Sequence, residues 1–145
     1  MATSHKHISY ALTTAIYKAL SSYVTVSGTT YPVYQGVPTD VANTYVRIGE
    51  VIDRDNGTKE DFMYEGSVTI IVNDESGVNQ FDKKLAYSIQ DKVRSLLKTS
   101  KSSTLTVTGF TMPVFSFDTS TEILSTNDSD RPQIQLIDIY RFIIE

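Results

Sequence analysis

Apolar side chains at Ile8, Leu12, Ala15, Ile16, Ala19, Leu20 and Tyr23 recur at steps of three and four residues. That is the spacing of one helical face, and it predicts a helix over 4–23. Ser4 stands at the N-cap, where its hydroxyl accepts from an unpaired amide of the first turn. Residues 24–30, rich in β-branched side chains around Gly28, are expected to end the helix and turn. Residues 31–35 read as a short edge strand, because Pro32 has no amide to give a central ladder. The next strand spans 45–52, with Val46, Ile48 and Ile52 on one face and Glu50 among them. Residues 53–60 form a polar hairpin loop around the turn-forming pair Asn56-Gly57. A strand over 62–73 carries Tyr64, Val68, Ile70 and Val72 on one face, with Gly66 as a bulge position.

A second helix is expected over 78–98. Phe81, Leu85, Ile89, Val93, Leu96 and Leu97 make its buried stripe, and Lys83, Lys84, Gln90, Asp91 and Lys92 face water. Residues 98–104 read as a polar linker. Residues 105–117 alternate as a strand interrupted at Gly109 and Pro113, and 119–124 either continue it or pair beside it. Residues 125–132 form a Ser/Asn/Asp-rich loop, and 133–144 are the last strand. On that strand Leu136, Tyr140, Phe142 and Ile144 share one face with Asp138. Ile137, Ile139 and Ile143 share the other with Arg141. The expected architecture is a single α+β domain over 1–145: one antiparallel-rich β-sheet with two helices packed on one face, in the order α-β-β-β-α-β-β.

One helical layer covers one face of a sheet. The last strand is apolar on both faces, so its second face needs another cover, and Ile137, Ile139 and Ile143 are candidate subunit-interface residues.

Composition narrows the chemistry. The chain has 145 residues, 40% of them hydrophobic and 21% charged, within the range of globular domains. With no cysteine, thiolate metal sites, disulfides and cysteine nucleophiles are excluded. The formal net charge of −4 is opposite to the basic balance of most free-standing nucleic-acid binders. No apolar run is long enough for a membrane-spanning helix, and no secretory leader pattern is expected near the start.

No nucleophile elbow or phosphate-binding loop is present. His5 and His7, at i, i+2, do not share a helical face. Asp53, Asp55, Glu60 and Asp61 cluster around the first hairpin. They are interspersed with Arg54 and Lys59 and lack the spacing of a calcium loop. They read as a solvated loop, and as carboxylate catalysts they are the weakest reading. Asp128 and Asp130 belong to the later polar loop. Lys92, Arg94, Lys98 and Lys101 form the main basic concentration, which at a helix end is favoured by the dipole. No catalytic, cofactor-binding or metal-binding residue is assigned, and an enzyme is not expected.

The stretch Tyr34-Gln35-Gly36-Val37-Pro38, followed after a short gap by Tyr45-Val46-Arg47-Ile48-Gly49-Glu50, resembles the tail-completion or tail-terminator (head-tail joining) proteins of long-tailed bacteriophages, which also occur in gene-transfer agents and prophages. The likeness extends from the first helix to the last strand pair. It implies a structural virion protein of the tail or neck, made in the bacterial host cytoplasm. Such proteins form a ring, commonly a hexamer, at the head-proximal end of the tail tube. The ring ends tube polymerisation and joins tail to head. The implied partners are further copies of the chain, the tail-tube protein and a head-completion or connector protein. Genomic DNA passes through the lumen without specific binding, and no membrane is involved. Beside this reading, Asp53, Arg54, Asp55, Asn56, Lys59 and Glu60 are candidate partner contacts, since loops between strands are where such contacts concentrate. The alternatives are another neck component, such as a head-completion or tail-adaptor protein, and a nucleic-acid-binding module using the basic residues above.

Overall fold

The computed structural model describes residues 8–35, 44–55, 64–75, 84–97, 114–126 and 132–144. The elements are α1 (Ile8–Leu20), β1 (Thr25–Val26), β2 (Thr29–Thr30), β3 (Val33–Tyr34), β4 (Thr44–Asp55), β5 (Tyr64–Asp74), α2 (Lys84–Leu97), β6 (Val114–Thr126) and β7 (Pro132–Ile144). The main sheet has five strands in the order β3-β4-β5-β7-β6. Only β3 and β4 run parallel; the other neighbours are antiparallel. Both helices and the inner sheet face meet in one core, so the fold is α+β; the helices and the five main-sheet strands follow the expected order, and the hairpin β1–β2 is inserted after α1.

The predicted turn after α1 contains a further hairpin. Ser22 takes a left-handed φ of 70° as the helix ends, and the Tyr23 amide donates to the Leu20 carbonyl at 2.9 Å. Ser27 (φ 52°) and Gly28 (φ 83°) then make a two-residue turn that suits the twist of antiparallel strands. β1 and β2 are too short to show a periodicity. Ser4, His5, His7 and Phe81 lie outside the described residues, as do the linker 98–104 and most of the loop 125–132.

The inner face is built by α1 side chains Leu12, Ile16 and Leu20, α2 side chains Ala86, Ile89, Val93 and Leu97, and alternate residues of β4, β5 and β7. β7 is central, paired along its whole length to β5 and β6. Its Leu136, Asp138, Tyr140, Phe142 and Ile144 point inward and are at most 2% exposed, as the alternation requires.

Two irregularities separate this sheet from its sequence pattern. β4 carries one extra residue between Ile48 and Val51 relative to β5. A bulge of that kind reverses the facing of everything beyond it. Ile52, expected beside Val46 and Ile48, is therefore on the outer face and 68% exposed. Gly66 is not the bulge: it pairs in register with Asp53 and Phe142. A side chain there would run into the Ile52 carbonyl oxygen and come within 2.8 Å of Asp53 Cα. Gly66 thus permits close approach of the bulged strand. The second irregularity is at Asp118, an extra residue between Phe117 and Thr119. β6 continues through it as one strand.

Two further expectations are corrected. Asp53, Arg54 and Asp55 belong to β4 rather than to a loop, because the ladder to β5 runs on to Tyr64. Gln90 is 5% exposed rather than facing water, because it hydrogen-bonds inside the sheet-facing side of α2.

Candidate interaction surface

The inner face is closed by a polar clamp. Asp138, on β7 and 2% exposed, receives Arg94 in a two-pronged pair, Nε to Oδ2 at 2.9 Å and Nη2 to Oδ1 at 3.0 Å. Gln90 Nε2 donates to Oδ1 at 2.8 Å, and the Tyr140 hydroxyl lies 3.5 Å from Oδ2. Such a fork matches carboxylate geometry and leaves few unpaired sites. The Arg94 guanidinium also sits 4.4 Å from the Phe117 ring centre. Tyr140 stacks on Phe115 at 5.3 Å and meets the Phe117 edge at 5.8 Å. The hydrogen bond to Asp138 raises the Arg94 pKa. Burial, then the Asp138 charge, pushes the Tyr140 hydroxyl far up. The clamp ties α2 to β7. Arg94, counted above among the basic residues, is committed to it.

The outer face has a closed end and an open end. At the closed end Tyr45 packs against Tyr34 with ring centres 5.6 Å apart. Gln133 Nε2 donates to Asn73 Oδ1 at 2.6 Å, and Ile71 is buried. Burial, then the Glu75 charge, raises the Tyr45 hydroxyl pKa. Toward the open end no helix lies over the sheet among the described residues. Ile139 and Ile143 are half-buried there and Arg141 is exposed, and Ile137, nearer the closed end, is half-buried as well. A groove of about 630 Å³ runs along it, walled by Ile52, Arg54, Glu65, Asp118, Ile139, Arg141 and Ile143. Arg54 and Glu65, paired across β4 and β5, hold one rim as an ion pair.

The groove unites residues that the sequence placed in separate sites. Ile139 and Ile143, expected at a subunit interface, line it together with Asp53 and Arg54, expected at a partner contact. Ile137 is further along the same face, level with Ile71. Asp53 also reaches the inner side, where Ser9 Oγ of α1 donates to its Oδ2 at 3.1 Å. Asp55 closes β4 opposite Tyr64. Asn56, Lys59 and Glu60 lie outside the described residues, as do Lys98, Lys101, Asp128 and Asp130. Ile52 was missed because nothing in the sequence announces the bulge that turns it outward. Among the described residues no group of three or more His, Cys, Asp or Glu side chains is placed to hold a metal ion. No described helix is long and apolar enough to cross a membrane.

No protein-family profile matches the sequence, and no curated protein matches it. Among solved structures, a chain from the virion of a native gene transfer agent (GTA) particle superimposes with a TM-score of 0.67. The match covers 92% of this chain and 96% of that one at 21% sequence identity. At that identity the likeness establishes a shared fold.

Proposed function

We propose that this chain is a structural, non-enzymatic component of a phage-like virion. Within it, the chain forms the ring at the head-proximal end of the tail tube, ends tube polymerisation and joins tail to head. The observation that carries this reading is the fold shared with a gene transfer agent virion protein along nearly the whole of both chains. The Gly-Val-Pro and Tyr-Val segments of the sequence point the same way, and the open outer face supplies a place for contact.

In this reading Ile137, Ile139 and Ile143 are covered by the neighbouring subunit of a ring, commonly six copies. Taking a half-buried isoleucine fully out of water contributes roughly 1 kcal/mol, and the same patch repeats at every joint. The rim and turn residues Asp53, Arg54, Asp55, Asn56, Lys59 and Glu60 meet the tail-tube protein on one side or the head-completion or connector protein on the other. DNA passes through the lumen without specific binding, because a chain of net charge −4 repels phosphates at short range.

Tube polymerisation in vitro tests the role. Purified tail-tube protein is assembled with and without this chain, and tube lengths are measured by electron microscopy. Short tubes bearing extra density at one end are expected. Unchanged lengths with no bound chain would reject the terminator role. Binding to a head-completion or connector protein alone would move the chain elsewhere in the neck.

A further inference from the structure

We propose that the groove on the outer face is the socket of a front-to-back contact, and that its occupant is the row Tyr10, Thr14 and Lys18 on α1 of a second copy. This deepens the ring reading and rests on it for the claim that another copy covers the groove.

A ring built from one kind of chain joins unlike surfaces, so each copy needs a socket on one side and a plug on another. The groove supplies the socket. Ile52, Ser67, Arg141 and Ser116 stand level across four strands. Ser67 is small, and Ile139 and Ile143 stand diagonally across from it. Ile52 is 68% exposed, turned outward by the bulge of β4 where its carbonyl passes close to Gly66.

The plug is on the opposite side of the molecule. Leu12, Ile16 and Leu20 anchor α1 in the core. Tyr10, Thr14 and Lys18 follow at four-residue steps on the side turned away from it. Tyr10 is 73% exposed, and it and Ile52 are the two most exposed large apolar side chains among the described residues. Seated against each other, both leave water. A tyrosine suits this socket because its ring is apolar and its hydroxyl polar: the ring covers isoleucine, and the hydroxyl faces Ser67 and Arg141. The exposed aromatic residue of α2, Tyr87, is instead bonded to Glu122 of its own chain at 3.1 Å.

Spacing and charge agree. Lys18 lies about 12 Å beyond Tyr10 along the helix axis. Three strand spacings, roughly 14 Å in all, separate β4 from β6. With Tyr10 beside Ile52, a helix laid across the strands therefore brings Thr14 over Ser67 and Lys18 to Asp118 on the β6 wall. Among the described residues the groove is lined by three carboxylates and two guanidinium groups, and Lys18 is the only charged residue of α1. The two surfaces are thus opposite in net sign.

The chain has no cysteine, so introduced thiols report the contact directly. Chains carrying Ser67→Cys are mixed with chains carrying Thr14→Cys, alone and with tail-tube protein. They are treated with a short bismaleimide and separated by denaturing electrophoresis. A cross-linked dimer is expected in the mixture, at least about tenfold above either variant by itself. The same excess is expected over a mixture of Ser67→Cys with Ser95→Cys, on the exposed side of α2. Adding Tyr10→Ser to the Thr14→Cys chain should cut the yield about tenfold. Adding Lys18→Glu should cut it about fivefold, and Asp118→Lys on the Ser67→Cys chain should restore it. Each variant is checked for an unchanged fold by circular dichroism. Dimers from Ser67→Cys chains alone would mean that like surfaces meet, and would overturn the proposal, as would equal linkage to Ser95→Cys. A ring-sized wild type without the Thr14–Ser67 cross-link would overturn this contact and leave the ring standing. With both thiols on one chain, a ladder that climbs without closing would keep the contact and reject the ring. A monomeric wild type with no cross-link, alone and with tail-tube protein, would overturn both.

Discussion

The two faces of β7 are one strand under two regimes. Leu136, Tyr140, Phe142 and Ile144 are sealed under the helices, while Ile137, Ile139 and Ile143, one residue away in each case, remain half in water. The apolar character is similar on both sides, so the difference is not composition but cover. The inner face is satisfied within the chain, down to the last oxygen of Asp138. The outer face is satisfied at its closed end by Tyr45, Ile71 and the Asn73–Gln133 hydrogen bond, and left open where Ile139 and Ile143 line the groove. Inner-face residues should therefore govern folding, and outer-face residues assembly.

The largest loss of stability is expected from Tyr140→Ala, which empties a fully buried aromatic site stacked on Phe115. A cost of about 3–5 kcal/mol in urea unfolding is expected. A loss below about 1 kcal/mol would mean that the inner face is looser than its burial shows.

Asp138→Ala comes next. It leaves Gln90 and Arg94 without their acceptor. Because the Arg94 side chain is 36% exposed and water re-solvates it in part, about 1–3 kcal/mol is expected rather than the full cost of breaking a buried pair. In a double-mutant cycle with Arg94→Ala the two losses should be clearly non-additive; simple additivity would mean that the clamp is not a unit.

Alkaline pH gives a smaller and more selective signal. The folded state holds the Tyr140 hydroxyl protonated well above its ordinary value of 10.0. Above that pH the unfolded chain therefore binds fewer protons than the folded one, and stability falls as pH rises. The Tyr140 contribution is complete below pH 10 and is lost progressively above it. Urea unfolding at stepped pH should show a decline steeper in the wild type than in Tyr140→Phe by up to about 1.4 kcal/mol per pH unit. Parallel slopes would contradict the buried, neutral phenol.

The smallest effect on monomer stability is expected from Ile139→Ser, less than about 1 kcal/mol for a side chain already half in water. If it destabilised the isolated chain as much as Tyr140→Ala does, the contrast between the faces would fail.

Much of this contrast is legible in the sequence. The two-residue alternation from Gln133 to Ile144 assigns both faces of β7 correctly, and the three- and four-residue spacing finds both helices. What escapes is set by backbone irregularity and tertiary pairing. One inserted residue in β4 carries Ile52 to the opposite face, and pairing with β5 carries the strand on through Asp55. Gly66 reads as a bulge but answers to a neighbouring backbone. Gln90 reads as solvent-facing because its partner, Asp138, is 48 residues away. The groove is illegible for the same reason: its walls come from β4, β5, β6 and β7, and only their registers bring Arg54, Glu65 and Ile143 level across three strands.

The central claim is that the open end of the outer face is covered by another copy of the chain. Light scattering on the purified protein, alone and mixed with its tail-tube protein, tests it most directly when the wild type is measured beside Ile139→Asp. A ring-sized mass for the wild type in either sample, and a monomer for a folded Ile139→Asp, is the expected result. A monomeric wild type in both samples, or a ring that the aspartate leaves intact, would contradict it.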